Sequence, residues 1–215
     1  MNTYKELIKQ HHTEVVDVMP VDNPVGQLKL RLLRQTIRPN DAVLDVGAGN
    51  GVITKEARRL SADVTAMDFT PKMIDQLYKI EGIIICYGDI TDGAGFDNTS
   101  FDVVYSFGTL YYIQELDLAL HEIHRLLKNN GKAVLEFENA LSPLKFWVDR
   151  QYHLPQKRVY PWQLKTLLNG FTIKKTHYHK LFPSFTGWWS TTMLFGKIPL
   201  LKYFCLSIIV EVKKC

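Results

Sequence analysis

The 215 residues of this chain predict an α/β fold, a mostly parallel, doubly wound sheet with helices on both faces. Three observations carry that prediction. Apolar runs of strand length alternate with helical periodicities five times between residues 42 and 138, the first run stops at a cluster of glycines, and no long polar gap interrupts the series. Composition agrees: 46% apolar and 22% charged residues are ordinary for a globular protein and exclude a disordered, collagenous or coiled-coil chain. The length fits one domain of the larger kind. Cys86, Cys205 and Cys215 are too few and too scattered for a disulfide framework or a cysteine zinc site, so reduced thiols and a cytoplasmic location are expected. Residues 1–10 mix Lys and Glu with no apolar run, and no secretory signal is read there. The most apolar stretch, 193–210, is broken by Lys197, Pro199 and Lys202. A membrane span needs about 20 mostly apolar residues, so none is predicted.

The elements follow in order. Residues 2–18 and 25–37 read as helices joined by a loop with Pro20 and Pro24. Residues 42–46, Ala-Val-Leu-Asp-Val, form a strand that ends at Gly47, Gly49 and Gly51. From Val52 the spacing turns helical, with Ile53, Ala57 and Leu60 on one side. A second strand is read at 63–68, then a helix at 71–80 that begins with proline at its favoured first position. Residues 82–87, Gly-Ile-Ile-Ile-Cys-Tyr, are apolar on both faces and predict a buried parallel strand. The fourth strand is 102–107, the next helix 116–127, closed by Asn129-Asn130-Gly131, and the fifth strand 132–138. The tail differs: a short helix at 161–168, then two longer strands, 171–182 and 203–214, expected as an antiparallel pair at the sheet edge. One domain is expected over 1–215.

The glycines permit a tight strand-to-helix turn and let a ligand approach the backbone where a Cβ would clash. Two nucleotide-phosphate readings are weakened: Val52 stands where a dinucleotide fingerprint needs its third glycine, and no Gly-Lys-Ser/Thr ending is present. Carboxylates at successive strand ends add information. Asp68 closes the second strand about 20 residues after the turn, where an acid can accept from ribose hydroxyls. Asp89 follows the third strand and Asp45 lies within the first. Three anions repel a phosphate but suit a ligand carrying an ammonium, a sulfonium and an adenine amino group. Taken singly, Asp45 can equally satisfy donors at the turn, and Asp68 and Asp89 can cap the segments that follow them. Taken together, three acids at three consecutive strand ends favour a ligand.

Five segments resemble the class I S-adenosylmethionine-dependent methyltransferases: Val43-Leu44-Asp45-Val46-Gly47-Ala48-Gly49-Asn50-Gly51, Ala66-Met67-Asp68-Phe69-Thr70-Pro71-Lys72-Met73, Gly88-Asp89-Ile90, Phe101-Asp102-Val103-Val104-Tyr105-Ser106 and Arg125-Leu126-Leu127-Lys128-Asn129-Asn130-Gly131-Lys132. They occur in family order across 42–138, and the likeness is to small-molecule enzymes of the quinone-biosynthesis kind. The resemblance implies a Rossmann-like sheet of seven strands with a C-terminal antiparallel hairpin, and S-adenosyl-L-methionine as cofactor. It implies that Asp45, Gly47, Ala48 and Gly49 hold the methionine end and that Asp68 takes the ribose. Phe69 and Met73 would flank the adenine, Asp89 would accept from its amino group, and Ile90 would pack on the ring. Ser106 and Phe107 would contact the methionine portion near the sulfonium. It also implies a helical lid over 1–37 and substrate-covering inserts within 140–203. Asn130 replaces the first of two glycines that members often carry after the fourth helix, a change to a turn.

Transfer from a sulfonium disperses charge and can be driven by alignment in a dry pocket, which can supply about 7–11 kcal/mol. No metal is expected: His177 and His179 alternate on one strand without a third ligand. No catalytic base is assigned; Tyr112, Glu138 and His11 are the candidates, with His11 and His12 better read as solvated helix residues. Tyr111, Tyr112, Phe146, Trp147 and Trp188 are expected in the substrate pocket.

Charge is divided along the chain. Residues 1–140 hold 14 basic and 20 acidic residues, whereas 141–215 hold 12 basic residues against Asp149 and Glu211, with all four tryptophans and 14 of the 25 aromatics. Trp188 and Trp189, adjacent, cannot both point inward on a regular element. This basic, aromatic segment suits peripheral contact of 183–202 with an anionic membrane better than nucleic acid. The place after the fourth strand reads Ser106-Phe107-Gly108-Thr109, which lacks the Asn/Asp-Pro-Pro-aromatic run of amino-methylating RNA and DNA enzymes. The leading reading is transfer to an O, N or C atom of a small apolar or amphipathic acceptor. An RNA or protein methyltransferase and a non-catalytic binder are the alternatives.

Overall fold

A computed structural model describes residues 2–14, 22–61, 63–146, 156–179 and 204–215. Trp147, His153, Trp188 and the 183–202 segment lie outside the described residues, as do residues 15–21 of the expected lid and 147–155 and 180–203 of the expected inserts.

Two helices open the chain, α1 (Asn2–Glu14) and α2 (Pro24–Thr36). The second starts where Asn23 accepts from the Gly26 amide at 2.8 Å and Pro24 occupies the first turn, its N–H not needed there. The alternation then runs β1 (Ala42–Val46), α3 (Val52–Leu60), β2 (Asp63–Asp68), α4 (Pro71–Leu77), β3 (Ile84–Tyr87), β4 (Phe101–Ser106), α5 (Leu116–Leu126) and β5 (Leu127–Asn139). The tail adds β6 (Arg158–Val159), α6 (Leu164–Leu167), β7 (Phe171–His179) and β8 (Ser207–Lys214). The main strand order is β3-β2-β1-β4-β5-β8-β7, parallel through β5, with β8 antiparallel to both β5 and β7. The antiparallel hairpin expected from the tail is present; the two-residue β6, paired to the end of β5, was not anticipated.

Strand alternation sends side chains to two layers. Val43, Val64, Val103, Tyr105, Val134 and Ile209 face α2 and α3, while Leu44, Val46, Val104, Leu135 and Val210 join α5 and α6 on the other face. α2 is therefore part of the body of the fold, with Leu28, Leu32 and Leu33 buried on the sheet.

Two differences from the sequence reading have physical reasons. β3 was expected to be buried on both faces, but it is the edge of the sheet, with Ile84 56% and Tyr87 59% exposed. β5 begins at Leu127 rather than Lys132: after Phe101 pairs with Leu127, the register shifts so that Val103 pairs with Lys132. Asn130, at φ +65°, adopts the left-handed conformation within that irregular stretch. No helix among the described residues is long and apolar enough to cross a membrane.

Leu33 is fully buried between α2 and the sheet. Leu33→Ala should cost about 2–5 kcal/mol, which at this size lowers the melting temperature by about 5–15 °C, read by calorimetry.

Candidate functional site

The carboxyl ends of β1 to β4 open onto a cavity of about 460 Å³, a size that suits a small-molecule ligand. Its floor is the turn after β1. The amides of Gly47 and Ala48 both donate to the Met67 carbonyl at 2.9 Å, tying the turn to β2. Gly47 lies at φ +74°, and a Cβ there would stand 2.1 Å from the Thr109 hydroxyl. Gly49, at φ +56°, has no atom within 4 Å of where its Cβ would project. The first glycine is thus required by packing, while the space over the second is open to a ligand.

The three acids line this cavity in different electrostatic states. Asp45 is buried; its Oδ2 accepts from Thr54 at 2.6 Å and from Tyr105 at 2.8 Å. Burial pushes its carboxyl up to about 7 against those two donors, with Asp68 adding to the rise. Asp68 accepts the Gly49 amide on Oδ2 at 2.9 Å and the Thr70 amide on Oδ1 at 2.8 Å. Asp89 accepts from the Thr91 amide and hydroxyl at 2.9 and 2.8 Å and pairs with Lys5 at 2.9 Å. Burial opposes the Asp89 charge, but Lys5 and Thr91 hold its carboxyl below the usual range.

Of the other residues singled out in the sequence, Ala48, Phe69, Met73, Ile90 and Phe107 line the cavity, as do Tyr111 and Tyr112, whose rings stand 4.6 Å apart. Ser106 does not: its hydroxyl donates to the Val46 carbonyl at 2.9 Å, bracing β4 on β1. Glu138 is buried away from the cavity and accepts from Ser207 at 2.9 Å, because it sits where β5 pairs with β8. Phe146 is an exposed residue beside Lys145 and is also absent from the lining. His11 lies in the last turns of α1. His177 pairs with Glu211 at 2.6 Å, and no group of three metal-binding side chains occurs among the described residues.

Residues 44–135 match the family model described as a methyltransferase domain. Among relatives, the chain is 32% identical over 123 residues to the ubiquinone biosynthesis O-methyltransferase of Xanthomonas axonopodis pv. citri, covering 54% of this chain and 50% of that protein. It is 36% identical over 114 residues to the ubiquinone/menaquinone biosynthesis C-methyltransferase of Citrifermentans bemidjiense, covering 47% and 48%. Among solved structures, it superposes on the N-methyltransferase NodS of Bradyrhizobium japonicum, crystallised with S-adenosyl-L-homocysteine, with a TM-score of 0.66 at 14% identity over 100% and 99% of the two chains. Residues 44–135 thus resemble a methyltransferase domain, and the whole chain shares the fold of the superposed structure. The chain spans about half the length of the relatives it matches.

Sequence reading missed part of the cavity. Tyr4, Lys5 and Ile8 of α1 line it, and Ile8 packs with Tyr112 and Phe69. Lys29 of α2 lines it too, although it is only 3% exposed, and pairs at 2.7 Å with the fully buried Glu136. A signal was available: Lys29 interrupts the apolar stripe of Val25, Leu32 and Leu33, and Glu136 follows Val134 on the same face of β5. What the sequence could not provide was that the two faces meet.

Gly47→Ala combines a left-handed backbone with the Thr109 clash and should destabilise the fold by about 1–3 kcal/mol. Denaturant unfolding measures the loss, which Gly93→Ala, with open space at its Cβ, should fall well short of.

Proposed function

We propose that this protein is an S-adenosylmethionine-dependent methyltransferase acting on a small, apolar or amphipathic acceptor. The observation that carries this reading is the convergence of Asp45, the open Gly49 turn, Asp68 and Asp89 in one cavity at successive strand ends. The donor set fits the cofactor. Asp45, buried with its carboxyl near 7, is relieved by a cation and would take the ammonium. Asp68, oriented by two backbone amides, would take the ribose hydroxyls. Asp89 and Ile90 would hold the adenine, with Phe69 and Met73 on its flank. Phe107 would wall the methionine end.

When bound, the cofactor supplies an electrophilic methyl group on a sulfonium. The chain's part is to align and to exclude water. α1, packed through Ile8 onto Tyr112 and Phe69, covers the cavity, and the apolar wall of Phe107, Tyr111 and Tyr112 keeps the transfer region dry. Such positioning supplies about 7–11 kcal/mol without a catalytic base. The names of the quinone-biosynthesis relatives support an O- or C-methylated apolar acceptor, and a cytoplasmic protein that meets anionic membrane through residues 183–202 would reach one there.

Calorimetry with S-adenosylhomocysteine tests the cofactor reading: micromolar binding is expected, and its absence overturns the reading. The pH dependence is specific. The Asp45 carboxyl is raised on folding, so its contribution to stability is present below its unfolded value and is lost as pH rises through about 7. A ligand ammonium pairs with the ionised form, so binding below about pH 7 must expel a proton. Affinity should fall by up to about tenfold per pH unit below that point, and Asp45→Asn should flatten the profile. For the acceptor side, flotation with anionic vesicles should retain the full chain and lose a form deleted for 183–202; equal behaviour of both would remove the membrane part.

A further inference from the structure

The buried Lys29–Glu136 pair has no part in the reading above. Glu136 is 0% exposed in the central strand β5; Lys29 reaches one of its oxygens from the face of α2 that packs on the sheet, and the buried His179 of β7 stands 3.3 Å from the other. Replacing a buried ion pair by apolar side chains of similar size is often neutral or stabilising, so such a pair is weak evidence of a stabilising role. Its geometry suggests another one. The same Glu136 oxygen that meets Lys29 accepts the Gly108 amide at 2.9 Å, and the Lys29 ammonium sits 5.3 Å from the centre of the Phe107 ring. One residue on, the Thr109 hydroxyl donates to the Gly47 carbonyl at 3.2 Å. The segment 107–109 is the cavity wall beside the glycine turn. It is tied on one side to that turn by Thr109 and on the other to β5 by Glu136.

We infer that Glu136 is a positioning residue for the amino-acid end of the cofactor cavity: it fixes the Phe107–Gly108–Thr109 wall through the Gly108 amide, with Lys29 as the counter-ion that allows the carboxylate to remain buried. This rests on the cofactor reading given above. Gly108 lies at φ +78°, a backbone conformation that a chain leaves easily when nothing holds it. A carboxylate accepts the amide more strongly than a neutral oxygen would, and Lys29 offsets its desolvation. The nucleoside end, formed by Asp68, Phe69 and Asp89, has no share in this tether.

Two neutral double variants test the tether; both also change the contact of Glu136 with the buried His179 of β7, so the readout is the difference between two ligands. Lys29→Met/Glu136→Gln keeps an acceptor for the Gly108 amide; Lys29→Met/Glu136→Leu does not. The probes are S-adenosylhomocysteine and 5′-methylthioadenosine, which share the nucleoside and differ in the amino-acid end. The Leu double should bind S-adenosylhomocysteine about tenfold more weakly than the Gln double, with 5′-methylthioadenosine changed by less than about twofold. Equal affinity of the doubles for S-adenosylhomocysteine, or a parallel loss of both probes, would overturn the inference. If the Leu double does not melt cooperatively, Thr109→Val decides: it releases the other tether without touching a buried charge and should give the same selective loss, and no change would overturn the inference. Wild-type protein that binds neither probe overturns the cofactor reading itself, a distinct result.

Discussion

The chain must leave β1 and enter α3 within five residues while keeping its backbone close to whatever occupies the cavity, and that constraint organises the molecule. Gly47, Gly49 and Gly51 all take positive φ, which L side chains rarely adopt. The turn is then fixed from outside. Met67 accepts two of its amides, Asp68 a third, and Thr109 bonds the Gly47 carbonyl. Strands β2 and β4 flank β1 in the sheet, so the residues that pin the turn come from β2 and from the segment that follows β4. Sheet order and turn geometry are two aspects of one arrangement.

Placing carboxylates there carries a desolvation cost, and each acid meets it differently. Asp68 is compensated by backbone amides, which makes it an integral part of the turn as well as part of the cavity lining. Asp89 is compensated by the Thr91 amide and hydroxyl and by the Lys5 side chain from α1. Among the described residues Asp45 has two hydroxyl donors and no cationic partner, and its proton affinity rises accordingly. A buried acid that is hydrogen-bonded but not paired with a cation keeps part of its electrostatic energy in reserve for a ligand. Of the three, Asp45 is therefore the one through which pH and a cationic ligand are most strongly linked.

The sequence made the fold legible wherever the information was local. β1, α3 and β2 end where periodicity, glycine and proline say they should, and the tail hairpin followed from two long apolar runs. It was less informative where neighbours decide. An all-apolar run such as 82–87 reads the same at the centre of a sheet as at its edge, and only strand order exposes Ile84 and Tyr87. The cavity was legible in the same local sense: strand-end acids and glycines stood out, and the structure brings them together. Glu138 stood out for the same reason but faces Ser207, since β8 inserts beside β5. Lys29 and Glu136 are 107 positions apart, and their pairing depends on α2 lying across β5.

That last pairing links the N-terminal helices to the cavity by a route different from the α1 cover. α1 reaches the Asp89 side of the cavity through Lys5 and Ile8, and α2 reaches the Phe107 wall through Lys29. The α1 contact is a half-exposed set of ion pairs, weakened by salt and worth little when water competes. The α2 contact is fully buried, and water cannot replace either partner without opening the core. The two helices therefore differ in what their release breaks: α1 leaves by parting the Lys5 ion pairs and unpacking Ile8, whereas α2 can leave Glu136 only by unpacking Leu28, Leu32 and Leu33 from the sheet. The cavity thus has one wall held partly by water-accessible ion pairs and another held by the core of the fold.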